Sequence, residues 1–212
     1  LPEWLGSKQR ALWAGCAISA LALAPALRLR FAAAERKPVV YPRTPFVRRY
    51  LVAAAVWNLF VGAFPPFFNT YFARRTAAGS REIGLVLSGS QVAQVTAILG
   101  APALFARTGL TRGMAGTQVV AALLLVLLAP AWSMQAAALI YASYMSFQWM
   151  SEPGWHTLLM NGVAREQQSG ASALNFFVIF SAQALAAAAF GAGVARWGYP
   201  VMLSATAAVG VL

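Results

Sequence analysis

Long apolar stretches alternate with short polar connections along the whole chain. A helix needs about 20 apolar residues to cross a bilayer core of about 30 Å, and most of these stretches are long enough. They are continuous and rich in Ala and Leu, which is typical of membrane helices that make their backbone hydrogen bonds internally. The pattern therefore predicts an all-α, polytopic membrane helix bundle. The seven apolar runs are 11–27, 50–72, 83–106, 114–132, 135–160, 171–195 and 199–212.

Composition favours the same class, and the charges indicate an orientation. Hydrophobic residues make up 60% of the chain and charged residues 10%, whereas a soluble domain has about 25% charged residues. The net charge of +11 does not indicate nucleic-acid binding, because much of it lies in the connection 28–49. The positive-inside rule makes this connection a cytoplasmic basic linker in a multi-pass protein of the cell (inner) membrane. Its basic residues are Arg28, Arg30, Arg36, Lys37, Arg43, Arg48 and Arg49.

Polar side chains are concentrated in four of the seven runs. The second, third, fifth and sixth runs carry amides, hydroxyls and a carboxylate, whereas the others have few polar residues in their interiors. Uncompensated polar groups are costly in hydrocarbon, so we expect these four runs to face one another or a wet cavity. The first, fourth and seventh runs should then lie outside. A period of three runs suggests an internal repeat.

Several short segments carry a resemblance to a transporter family. Residues 64–72 end the second run with two prolines among aromatics, residues 80–84 form a polar start to the third, and residues 165–175 lead into the sixth. In order and spacing these segments resemble the C-terminal half of the major facilitator superfamily, where they would belong to the seventh, eighth and eleventh spans.

A fourth segment is similar to the family's cytoplasmic loop motif, Gly-x-Leu-Ala-Asp-Arg-x-Gly-Arg-Arg. Arg107 and Gly109 match the motif, Pro102 stands at its first Gly, and its Asp is Ala106 here. Of the Arg pair that ends the motif, only Arg112 stands nearby, and not at the same spacing. The resemblance assigns these residues to a gating loop.

The resemblance implies an organisation and a function. Residues 1–27 would be the last span of a missing N-terminal half, 28–49 the linker, and 50–212 a six-helix C-terminal half whose last helix is truncated. The chain starts at Leu1 rather than Met, and its last run would reach only about 21 Å. We therefore expect a piece of a longer protein. The family moves small solutes by rocking its two halves around a central site, often with protons.

Glu152 is the main candidate for chemistry. It lies inside an apolar run, and a carboxylate at mid-membrane costs on the order of 2.5–3.5 kcal/mol and is usually functional. His156 follows at a step of four, and Gln148 and Tyr144 precede at the same step, so all four project from one helix face. Pro153 should kink the helix there. Glu152 would bind a cationic or donor group or take up a proton, with His156 titrating near neutrality; alternatively, the two only satisfy each other or link helices.

Amides on the other polar runs are further candidates for solute contact. They could equally be hydrogen-bonding links between helices, and the sequence does not separate these roles. Nearby aromatic residues would suit an amphipathic or partly aromatic solute. The amide candidates are Asn58, Asn69, Gln91, Gln94 and Asn175.

The sequence gives less support to other functional classes. Cys16 is alone and no Cys/His cluster is visible, so we expect no metal site. A retinal protein needs a lysine in its last span, but the only lysines are Lys8 and Lys37. The Gly-x-Ser-Gly motif of an intramembrane protease is absent.

We expect a transporter rather than an enzyme, without a cofactor. Its partners would be a small solute, the bilayer and its own N-terminal half, with proton coupling as one option and efflux favoured over uptake. A channel-like protein and a non-transporting membrane scaffold stay as alternatives.

Overall fold

The computed structural model describes residues 8–28, 39–130 and 133–211. The chain divides into two units, 1–38 and 39–212. The described residues form helices and no strand, which confirms the predicted all-α class. Four helical segments among them are long and apolar enough to span a membrane. These segments are Pro45–Arg75, Ser80–Thr108, Leu110–Leu127 and Arg165–Val211.

The described part of the first unit is a broken apolar helix. Helix α1 spans Lys8–Leu21 and α2 spans Leu23–Arg28, so the run predicted over 11–27 is not one continuous helix. Pro25 explains the break, because it has no N–H to donate to the carbonyl of Leu21. Residues 29–38 of the predicted linker lie outside the described residues.

The second unit contains seven helices in its described residues. Two short 3₁₀ turns, Pro65–Phe67 and Arg165–Gln167, connect neighbouring helices. The helices are α3 Pro45–Ala63, α4 Phe68–Arg75, α5 Ser80–Thr108, α6 Leu110–Leu127, α7 Met134–Met150, α8 Glu152–Asn161 and α9 Gln168–Val211.

Helix α3 begins at Pro45, earlier than the predicted start at residue 50. The Thr44 hydroxyl accepts a hydrogen bond from the Val47 N–H at 3.3 Å and caps the helix. Pro45 occupies the first turn, where backbone N–H groups have no carbonyl partner within the helix, so the N–H that proline lacks is not needed. Arg48 and Arg49 therefore belong to the first turns of a helix rather than to the linker.

The fifth apolar run is broken in two. Helix α7 ends at Met150 and α8 starts at Glu152, so Ser151 is the corner. The Ser151 hydroxyl donates to the Gln148 carbonyl at 3.0 Å. Pro153 lies in the first turn of α8, where proline is tolerated because no N–H is needed. The predicted kink thus coincides with a one-residue interruption between α7 and α8.

Helix α9 contains the sixth and seventh runs. Gly198 interrupts it with φ 78° and ψ 171°, a conformation that favours glycine because it lacks a Cβ. The first arm of α9 precedes Gly198 and the second arm follows it. The two arms agree with the two predicted runs, apart from Leu212, which lies outside the described residues.

One end of the second unit gathers the start of α3 with the end of α8 and the start of α9. The ring of Phe46 lies against Gly162, and the Val40 carbonyl lies against Gly170. We call this the Phe46 end. Under the positive-inside prediction it would be cytoplasmic.

The opposite end joins α4 to the end of α6 and the start of α7. The Tyr71 hydroxyl donates to the Leu128 carbonyl at 2.6 Å, and Arg75 Nη2 donates to the Ala129 carbonyl at 3.2 Å. The Thr76 hydroxyl reaches the Met134 sulfur at 3.3 Å. We call this the Tyr71 end. Together the two ends show that successive passes alternate in direction, with α8 continuing α7 toward the Phe46 end.

An aromatic cluster fills the middle of the unit. Phe64 is fully buried where α3 gives way to the 3₁₀ turn. Its ring centroid lies 5.4 Å from that of Tyr71, 6.0 Å from Tyr141, 6.2 Å from Tyr144 and 6.1 Å from Phe190. Aromatic pairs at such distances add stability beyond their buried area. The cluster ties α3, α4, α7 and α9 together.

The helices of the second unit differ in how much of their surface is buried against the other helices. Helix α3 packs mainly on α9, α5 on α7, and α6 on both α7 and α9. Helix α5 buries only Ser90 and Ala101. Helix α6, predicted to lie outside, buries one side and exposes apolar side chains such as Val119 and Leu123 on another.

Candidate functional site

Glu152 is held at the start of α8, beside the beginning of α3. Three residues further along α8, the backbone carbonyl of Trp155 accepts a hydrogen bond from the Tyr50 hydroxyl at 3.2 Å. The rings of Tyr50 and Trp155 pack edge to face, with their centroids 5.4 Å apart. Because Tyr50 lies in the early turns of α3, Glu152 lies nearer the Phe46 end than the middle of the unit. Its depth in a membrane stays a prediction.

The Glu152 side chain is half-buried and makes no hydrogen bond or ion pair with the described residues. His156, one turn further along α8, forms no ion pair with it. The imidazole itself is exposed and lies 6.4 Å from the Phe176 ring, centroid to centroid. The structure therefore has no direct Glu152–His156 bond, in which the two side chains would satisfy each other.

Tyr144 and Gln148 continue from Glu152 toward the middle of the unit along α7. Tyr144 lies at the level of Phe60, with ring centroids 5.9 Å apart. Along a continuous helix, Glu152 would lie about 12 Å from Tyr144. Both α7 side chains are buried. In the part of the chain that the structure describes, the Tyr144 hydroxyl and Gln148 Oε1 have no hydrogen-bond partner.

Asn58 links two helices directly. Its Nδ2 atom donates to the Ala54 carbonyl at 2.9 Å, and its Oδ1 atom accepts from Gln183 Nε2 on α9 at 2.8 Å. Gly62, one turn along α3, lies against the backbone of Gln183. Asn58 is 3% exposed, so this amide acts as a helix link in the structure.

The remaining amides lie apart from one another. Gln91 is exposed on α5, and Asn69 is exposed at the start of α4 near the Tyr71 end. Gln94 is half-buried and Asn175 is buried; among the described residues, the amide oxygens of both have no hydrogen-bond partner. No hydrogen bond joins Asn58, Gln91 and Glu152, and their convergence on one solute stays a prediction.

The loop motif forms the tight connection between α5 and α6. Gly109 has φ 82° and ψ 150° and is flanked directly by both helices, which explains why a glycine stands there. Pro102 lies inside α5 without ending it. Arg107 and Arg112 are exposed, and neither bonds to a described residue. Their gating role stays a prediction.

Tyr50 was missed as a candidate in this region, whereas Gln183 was recognised as an amide that could bind solute or link helices. Tyr50 stood at the edge of its predicted run, where an interfacial aromatic is common, and only the packing of α3 on α8 shows its contact with Trp155. Gln183 was recognisable as a polar residue in an apolar run. Its partner Asn58 is distant in sequence, so the pair could not be read from spacing.

Two tyrosines allow a matched test of these assignments. Tyr71→Phe should lower the free energy of unfolding by about 1 kcal/mol, because the Leu128 carbonyl loses its donor. Tyr144→Phe should change it less, since that hydroxyl has no partner among the described residues. Denaturation of the intact protein in mixed micelles measures both. A larger loss for Tyr144→Phe would show that this hydroxyl is bonded in the folded protein.

The chain matches no protein-family model, no curated protein and no solved structure.

Proposed function

We propose that this chain is the C-terminal half of a secondary active transporter of the major facilitator kind, moving a small solute by alternating access. The observation that carries the proposal is a set of buried polar atoms on α5, α7 and α9 that have no hydrogen-bond partner among the described residues. They are the amide oxygens of Gln94, Gln148 and Asn175 and the hydroxyl of Tyr144. Buried polar groups in folded proteins are almost always paired, and within hydrocarbon an unpaired group is costly. A solute, water or the other half of the transporter would supply the missing partners.

The exposed side of α5 supports the same proposal. Gln91 and Ser88 lie there among apolar side chains such as Leu99, which is 77% exposed. Amides and hydroxyls facing lipid would be unfavourable. An N-terminal half that covers this side would shelter them and would complete a cavity between the halves.

The surroundings of Glu152 favour an aromatic or amphipathic cation as the solute class. Glu152 is half-buried, and Trp155, three residues later, accepts a hydrogen bond from the Tyr50 hydroxyl at its carbonyl. Aromatic faces attract cations, and the attraction grows when water is excluded. A proton could occupy the carboxylate when the solute is absent, which would couple the two by competition.

Transport by the intact protein tests the proposal. Proteoliposomes with the protein and an imposed pH gradient should move ethidium, an aromatic cation, at least about fivefold faster than protein-free liposomes. The rate should saturate with ethidium concentration. Collapse of the gradient with nigericin should remove uphill accumulation, because the proton would no longer drive the exchange.

The rival classes give different results in the same assay. A channel would give a flux that does not saturate and never runs uphill. A scaffold would leave ethidium, a fluorescein anion and glycerol all at the protein-free rate, and that outcome would contradict the proposal.

A further inference from the structure

Two adjoining cavities near the Phe46 end lie outside the polar row just described. Their volumes are about 530 and 480 Å³. Both are lined by Arg49, Ala53, Gln118 and Trp155, and we call them together the Arg49 groove. The groove lies between α3, α6, α8 and the second arm of α9, so two of its walls belong to runs predicted to face lipid.

Cationic groups and unpaired N–H donors predominate among the polar groups of the groove, beside the hydroxyls of Tyr50 and Thr111. Arg48 and Arg49 are exposed at its mouth. Among the described residues, the indole N–H groups of Trp57 and Trp155 and Nε2 of Gln118 are buried without an acceptor. Within the described ranges, no carboxylate lines either cavity. Guanidinium groups and unpaired N–H donors together select an anion that carries several acceptor oxygens.

The rest of the lining of the larger cavity is apolar. Val52 and Val56 of α3 face Val209 of α9 across the larger cavity, and Val52 is 61% exposed. From Arg49 to Trp57 the groove follows α3 for about 12 Å. One leaflet of the hydrocarbon core is about 15 Å thick. The groove thus runs from charged residues at the end of the bundle into acyl-chain depth.

We infer that the Arg49 groove binds an anionic phospholipid. Its phosphate pairs with Arg48 and Arg49, and one acyl chain lies along Val52 and Val56. Basic pockets between membrane helices on the cytoplasmic side bind anionic headgroups in this way. A soluble phosphate would use the arginines but would leave the apolar wall uncovered. The inference depends on membrane residence and on the predicted cytoplasmic orientation of the Phe46 end, and it is independent of the transport proposal.

Lipid retention by the intact protein tests the inference. Purified in mild detergent, the protein should retain phosphatidylglycerol at least about fivefold over phosphatidylcholine of the same chains by native mass spectrometry. The double substitution Arg48→Gln/Arg49→Gln should bring the two lipids within about twofold of each other. The matched control Arg107→Gln/Arg165→Gln removes the same charge from exposed arginines that line neither cavity, and its preference should stay unchanged.

A second variant keeps the test decisive if the double substitution fails to fold. Ala53→Phe leaves both arginines and fills the part common to both cavities, so phosphatidylglycerol retention should fall about fivefold. Glycerol phosphate at millimolar concentration should not displace the lipid. Equal retention of both lipids, retention unchanged in Ala53→Phe, or displacement by glycerol phosphate would each overturn the inference.

Discussion

Glu152→Gln is expected to reduce proton-driven accumulation of ethidium by about tenfold or more, because an amide of the same shape cannot take up or release a proton. Exchange of ethidium between equal concentrations on both sides needs no net proton movement. Exchange should therefore persist if Glu152 acts only as the proton carrier. If its carboxylate binds the cation directly, exchange should fall as well.

Glu166→Gln is the matched control for this prediction. Glu166 lies in the exposed turn Arg165–Gln167, so the same chemical change removes a carboxylate that water already solvates. Both activities should stay near the wild-type value. Undiminished, gradient-dependent accumulation in Glu152→Gln would exclude an essential protonation at this residue.

Helix existence was predictable because it depends on local chain properties. The run 83–106 agrees with α5 at Ser80–Thr108, since continuous apolar residues mark the body of a membrane helix. Its ends extend further because of caps: Glu82 Oε2 accepts from the Gly79 N–H at 2.8 Å, and Gly109 supplies the positive φ at the other end. Such caps involve near neighbours in sequence, so they are readable in principle.

Helix breaks were harder to place than helices. Pro153 predicted a kink in the fifth run, but the interruption falls at Ser151, whose hydroxyl donates a hydrogen bond to the Gln148 carbonyl. Pro45 looked like part of a linker and instead starts α3. Proline permits a helix start as readily as it ends a helix, and its surroundings decide which occurs.

The grouping of the polar residues could not be predicted because it depends on how each helix is rotated. Asn58 and Gln91 both stood out as amides in apolar runs, yet one is bonded to Gln183 and the other is exposed. A single sequence defines the polar face of a helix but not the helix that the face meets. Only close approaches, such as that of Gly62 to Gln183, identify the partner.

Gly62→Ala is expected to lower the free energy of unfolding by about 1–3 kcal/mol through overpacking. A Cβ at this position would run into the Gln183 backbone, which cannot turn aside as a flexible side chain could. Helices α3 and α9 would have to separate, and the 2.8 Å bond from Gln183 to Asn58 would lengthen with them. Small residues at membrane helix contacts permit this close approach. Gly62→Leu should have a larger effect.

Gly116→Ala separates the steric effect from the change in backbone freedom. Gly116 is exposed within α6, and an added Cβ would meet nothing within 4 Å. The same substitution should therefore be neutral or stabilise by up to about 1 kcal/mol, since alanine is the better helix former. Denaturation in mixed micelles compares the two variants. If Gly62→Ala were as stable as Gly116→Ala, α3 and α9 would not be in close contact at Gln183, and the Asn58–Gln183 link would lose its structural basis.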